Sequence, residues 1–290
     1  MQESTFIAVR KLRDLADAIG AAVYYSPLAQ TSYEQLGLKA KWPSYGSINF
    51  ESEGYFCGRC AVMETLDIKQ ISDALFIFPI DIVANALNSG WAKTSTKNVK
   101  EVRVTSASTQ LNEAAPKSLD PLKCADFLIS LVDLLDPNEF TLFKSLKDDP
   151  LPTEPFARLW RAADLMREYR SGSHLRISAL ELSPPELLIL TFAARGSDPI
   201  GSLDGLGWSK DSTEDSISSL NKQGLLNNTS ITLSGKQLRS HIENQTDNSL
   251  SNIAGYLTED KTQSVMMQLD ELSNNLYQGD LVNRRRMSDN

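Results

Sequence analysis

Cysteine, histidine and long apolar runs are all scarce in this chain. Three cysteines among 290 residues are too few for a disulfide framework, so a cytoplasmic protein is expected. No apolar run approaches the ~20 residues of a membrane span, and the opening residues MQESTFIAVRKLRD lack the charged-then-apolar order of a signal peptide. Cys57 and Cys60 form a CxxC, but Cys124 stands alone and the two histidines are distant in sequence. The second ligand pair of a structural zinc is therefore missing, and neither a metal nor a cofactor is expected. No GxGxxG, P-loop, GxSxG or HExxH stands at a useful place, so no motif argues for an enzyme. Positive charge is in deficit as well. A net charge of −8 argues against loose nucleic-acid binding but leaves room for a local basic face.

What remains is a helical chain with enough apolar residues, 41%, for two modest cores. Phe6, Val9, Leu12, Leu15, Ile19 and Val23 recur at helical spacing. Ser26-Pro27 starts a second helix and Gly37 ends it. Residues 39–54 read as a loop and 55–63 as a short helix. Pro79 divides residues 68–87 into two helices. Residues 94–118, rich in Ser, Thr, Lys and Asn, read as a loop or a frayed helix, and 124–135 as a buried helix. The Asp148-Asp149-Pro150-Leu151-Pro152 stretch is the best linker. It divides a helical N-terminal domain, 1–149, from a second domain, 150–279, with a disordered tail at 280–290.

Residues 183–238 organise the second domain. Ser183, Pro184 and Glu186 make a capping-box start before Leu187, Leu188, Leu190 and Phe192. Gly196 closes that helix, a short helical turn follows at 202–206, and Ser209 caps a third helix that ends at Gly224. Leu225-Leu226 and Ile231-Thr232-Leu233 flank Asn227-Asn228 as a short hairpin. That is the order of a winged helix-turn-helix in a mostly α chain. A helix over 235–257 and another carrying Val265, Leu269, Leu272 and Leu276 follow. The narrow apolar seam of the last helix calls for one partner helix, in the same chain or in a homodimer.

The winged unit and the leucine seam resemble MarR-like winged-helix proteins. The segments YYSPLAQTSYEQLGL, GYFCGRCAVME, ALNSGW and RLWRAADLMREYRSGSHLRISAL more closely resemble successive blocks of a mostly actinobacterial, SalK-like helix-turn-helix family of unknown function. Arg59, Trp160, Arg167, Glu168, Arg170, Gly172 and His174 match its pattern. Arg161, Tyr169 and Ser173 depart from it, and two of its three histidines are absent, which weakens any inherited histidine or metal chemistry.

On a helical wheel for residues 156–170, Arg167 and Arg170 fall on the apolar stripe of Phe156, Leu159, Trp160, Ala163 and Met166, while Arg158 and Arg161 face away. Inward guanidinium groups need partners. One reading is a pocket for a small anion built from Arg167, Arg170 and His174, with Arg59 and Trp160. The other is that both arginines bind the last carbonyls of their own helix before Gly172, or pair with Glu168 or with Asp residues of the first domain. If the third helix of the winged unit meets DNA, Lys210, Ser212, Thr213 and Ser216, with Asn227 and Asn228 at the wing, are the candidate contacts. From Lys210 to Gln223, however, there are two lysines against three acidic residues, which opposes phosphate binding. The expected function is a ligand-responsive regulator with weak or conditional DNA binding. The alternatives are a small-molecule binder, an enzyme or an adaptor that keeps the winged unit for packing.

Overall fold

The structure, a computed structural model, describes residues 3–40, 53–258 and 260–278. The expected loop at 39–54 lies mostly, and the tail at 280–290 entirely, outside the described residues. Among those residues are fifteen α-helices, three 3-10 turns and one two-stranded antiparallel sheet.

The first helices follow their caps. α1 (Glu3–Ala21) runs into a 3-10 turn, Ala22–Tyr25. α2 (Pro27–Gln35) begins at Ser26, whose hydroxyl accepts the Ala29 N–H, and Gly37 ends it at φ 81°. α3 (Glu53–Cys60), α4 (Ile68–Ala74) and α5 (Ile80–Trp91) follow, with Pro79 between the last two as expected.

α6 (Thr96–Ala114) corrects the loop reading: Ser95 caps a helix of 19 residues. α7 (Pro121–Val132) and α8 (Thr141–Asp148) lead to the longest helix, α9 (Pro155–Ser178). α9 does not stop before Gly172, so Arg167 and Arg170 are interior residues and not end-caps.

α9 is the axis of the molecule. It packs against α1, α6, α7 and α8, and its residues Leu159 to Met166 are all buried. That enclosure also corrects the wheel, because Arg161 is 3% exposed and donates to Asp149 at 3.0 Å.

Beyond α9 come α10 (Pro184–Ala194), α11 (Pro199–Asp204) and α12 (Lys210–Lys222). In the capping box of α10, the Glu186 carboxylate accepts the Ser183 N–H at 2.8 Å. α11 starts three residues before the expected turn because Asp198 and Pro199 begin it. The hairpin pairs β1 (Leu226–Asn227) with β2 (Ser230–Ile231), Leu226 opposite Ile231 and Asn227 opposite Ser230. Asn227 is therefore a strand residue, and the tip is Asn228-Thr229, with Asn228 at φ 58°.

α13 (Leu233–Asn248) starts on the Thr232 hydroxyl and ends earlier than expected; α14 (Ser251–Ala254) and a 3-10 turn precede α15 (Asp260–Gln278). Val265, Leu269, Leu272 and Leu276 are all buried, and α15 packs on α1, α6 and α7. The seam's partners are thus helices of the same chain.

Buried apolar residues fall into two clusters. The larger joins α1 to α9, as far as Tyr169, with Leu250 to Leu276. The smaller joins Leu182 to Leu190 with Leu203, Leu220, Leu226 and Ile242, and reaches the larger through Ile77 and Leu206.

Candidate ligand cleft and helix-turn-helix surface

The sequence-derived arginines belong to two separate places. Arg59 is in the interior: it donates to the Tyr55 hydroxyl at 2.5 Å and to Glu168 at 2.7 Å. Arg167 reaches the other oxygen of Glu168 and also Asp17, at 3.2 Å. Arg103, from α6, binds Tyr24 at 2.8 Å and Asp164 at 3.1 Å, and stacks over the Trp160 ring at 5.1 Å. Trp160 itself is buried and donates its indole N–H to the Gly20 carbonyl at 3.1 Å. Burial opposes the charge on Glu168, but Arg59 and Arg167 overcome it and hold the carboxyl below its usual range. Arg59 and Trp160 therefore tie helices together rather than line an opening. Cys57 and Cys60 lie nearby, fully buried, with burial pushing both thiols up to about 12.

Arg167, Arg170 and His174 do reach an opening. A cleft of about 700 Å³ lies between α1, α9 and α15 on one side and α10 and α13 on the other. That is the size range of small-molecule sites, roughly 300–1,000 Å³. Its walls carry Arg10, Lys11, Arg13, Arg167, Arg170, Arg195 and Arg239 against Asp14, Asp17, Glu243 and Asp270. Seven cations face four anions. Behind the walls, Asp247 binds Arg10 at 2.9 Å and Arg170 at 3.4 Å, and Glu168, shared with Arg59, binds Arg167, so the surplus belongs to the groups that line the opening, in a chain of net charge −8.

One carboxylate is shared among three side chains here. Glu243 accepts from Arg170 at 2.7 Å, while Arg239 lies 3.6 Å and His174 Nδ1 3.8 Å from its other oxygen. His174 also lies 3.3 Å from the Thr246 hydroxyl. Burial raises the cost of charge on Glu243, yet His174 and Arg170 hold its carboxyl low. For Arg239 the balance is reversed: burial outweighs Glu243 and lowers its pKa. Arg10, Arg239, Glu243 and Asp247 escaped the sequence reading. Their signal was the four-residue spacing of Arg239, Glu243 and Asp247 on one helix face.

The other candidate surface is α12. Thr213 and Ser216 are buried, and their hydroxyls donate to the Ser209 and Ser212 carbonyls at 3.0 and 2.7 Å. Ser212 is half-buried, leaving Lys210, Asp211, Glu214, Asp215, Ser218 and Lys222 on the open face. Lys210 lies 3.6 Å from Glu214. Asn227 and Asn228 are exposed. Asn221 holds the hairpin tip to α12, accepting the Asn228 N–H at 2.8 Å and donating to the Asn228 carbonyl at 2.9 Å.

No helix among the described residues is long and apolar enough to cross a membrane. No curated protein and no solved structure matches the chain. A family model described as a helix-turn-helix family matches residues 9–283, which takes in the helical body, the cleft, α10 to α12 and the hairpin. The chain belongs to that helix-turn-helix family.

Proposed function

We propose that this protein is a cytoplasmic, ligand-responsive regulator. In this reading α10 to α12 and the hairpin act as a MarR-like winged helix-turn-helix that meets DNA weakly or conditionally, and the adjoining cleft takes a small anion. The observation that carries the reading is the cationic surplus of a cleft walled by both the helical body and α10 and α13, in an acidic chain. A ligand there touches both parts, so it can bias how the winged unit is held, provided that it binds one arrangement better than another. The SalK-like sequence blocks supply Arg167, Arg170 and His174 to that cleft. Since the seam of α15 packs within its own chain, a homodimer through the C-terminal helices would have to use their exposed faces, such as that around Met267.

A second reading is favoured by α12: three carboxylates against two lysines on its open face oppose DNA contact. The helix-turn-helix unit would then serve only as the second wall of a small-molecule site. A mobility-shift assay on genomic fragments at low and at physiological salt separates the two. The regulator reading expects a shift at low salt that weakens steeply as salt rises. No shift at low salt leaves the binding-protein reading.

A further inference from the structure

We propose that the cleft selects an organic acid, whose carboxylate takes the place of the Glu243 carboxylate on Arg239 and Arg170 while its apolar body lies along Ile7 and Tyr277. This rests on the reading of the cleft as an anion site and names the ligand class and its effect on the fold.

The head group follows from the shared acceptor. Arg170 and Arg239 converge on one carboxylate, although each guanidinium can hold a carboxylate through two parallel N–H donors. Arg239 fills part of its need with the Thr191 hydroxyl at 2.5 Å, and the Nε of Arg170 is buried with no hydrogen-bond partner among the described residues. Burial lowers the pKa of Arg239 in spite of Glu243, so added negative charge there is favourable. The position is already shaped for a carboxylate, because Glu243 supplies one. The body follows from the walls: Ile7 and Tyr277 line the same opening, Ile7 63% exposed and Tyr277 half-buried. Inorganic oxyanions leave those surfaces unused.

Displacement of Glu243 has a mechanical consequence. Glu243 stands on α13, just after the hairpin, whereas Arg170 and His174 stand on α9. Their contacts are ties between the helical body and the helix-turn-helix unit. A bound acid exchanges the Glu243 tie for one through its own carboxylate, which joins Arg170 on α9 to Arg239 on α13, and leaves the Asp247 ties to Arg10 and Arg170, so the unit is re-seated without detaching.

The test is isothermal titration of the full chain with straight-chain acids from butyrate to dodecanoate, the matching primary alcohols, and inorganic phosphate. The acids bind, the alcohols do not, and phosphate binds at least tenfold more weakly than the best acid. Glu243→Gln removes the competing charge and tightens acid binding about tenfold, whereas Arg239→Lys, which keeps charge but loses the fork, weakens it about tenfold. Phosphate binding as tight as that of the acids keeps an anion site and overturns the organic-acid assignment. Unchanged or weaker acid binding in Glu243→Gln overturns the displacement, and the absence of binding by every acid overturns the whole proposal. A parallel mobility-shift assay keeps the two readings apart. Acid binding without any DNA shift removes the regulator reading and leaves this one standing, and a DNA shift without acid binding does the reverse.

Discussion

Glu168 joins two guanidinium groups inside the helical body, with Arg59 on one oxygen and Arg167 on the other. Its carboxyl is held below the ordinary range once burial has been overcome by Arg59 and Arg167. A carboxyl depressed on folding binds fewer protons folded than unfolded. Its stabilising effect is therefore complete above the unfolded pKa and disappears as pH falls through the folded value. Urea melts of the wild type should accordingly weaken as pH drops below about 4.5, the ordinary range of a glutamate. Glu168→Gln should cost on the order of 3–5 kcal/mol at neutral pH, because it leaves two arginines without their charged partner, and should flatten that acid dependence. An unaltered slope would mean that other carboxylates carry it. Cys57 and Cys60, with thiols pushed up to about 12 by burial, should resist a thiol reagent at pH 8 in the native state and react only after urea unfolding. Rapid native labelling would revive a reactive CxxC.

At the scale of elements, the transition from hairpin to α13 is the tightest joint of the smaller cluster. Gly235 is buried, and a Cβ there would run into the carbonyl oxygen of Leu225 and approach Ile231 Cγ1 at 2.8 Å. Backbone cannot give way as a side-chain tip can, so Gly235→Ala should destabilise by roughly 1–3 kcal/mol, measured as a lower urea midpoint. A variant as stable as the wild type would show that β2 and α13 are free to separate. Such joints were legible in sequence where a cap or a turn-former marked them: Ser26, Ser183 and Ser209 begin helices, and Gly37, Gly196 and Gly224 end them at positive φ. α6 was not legible. The residues it buries include Arg103, Ser106 and Gln110 beside Val99, Ala107 and Leu111, so helical spacing was present without the apolar signal that reveals it. α9 hid its length for a similar reason. Gly172 looks like a stop, yet it sits inside the helix against the Phe140 ring, where a Cβ would come within 2.5–2.8 Å. The candidate site was half visible: Arg170 and His174 come from one recognisable block, whereas Arg10, Arg239 and Glu243 meet them only through tertiary packing.

Across the whole molecule charge is divided, with a cationic surplus lining the junction cleft and an acidic open face on α12. In a helix-turn-helix protein the usual arrangement has the positive charge on the reading helix, where it releases counterions from phosphate. Glu214 and Asp215 are exposed, so the local field can be changed without touching either core. Glu214→Lys with Asp215→Lys turns the open face from two lysines against three carboxylates into four against one. If α12 faces the duplex, affinity for genomic fragments should rise at least tenfold at low salt. The logarithm of affinity should also fall more steeply with salt, by about 0.9 for each phosphate newly contacted. An affinity and a salt slope unchanged by the double reversal would mean that α12 points away from DNA, and that the helix-turn-helix unit serves the cleft beside it.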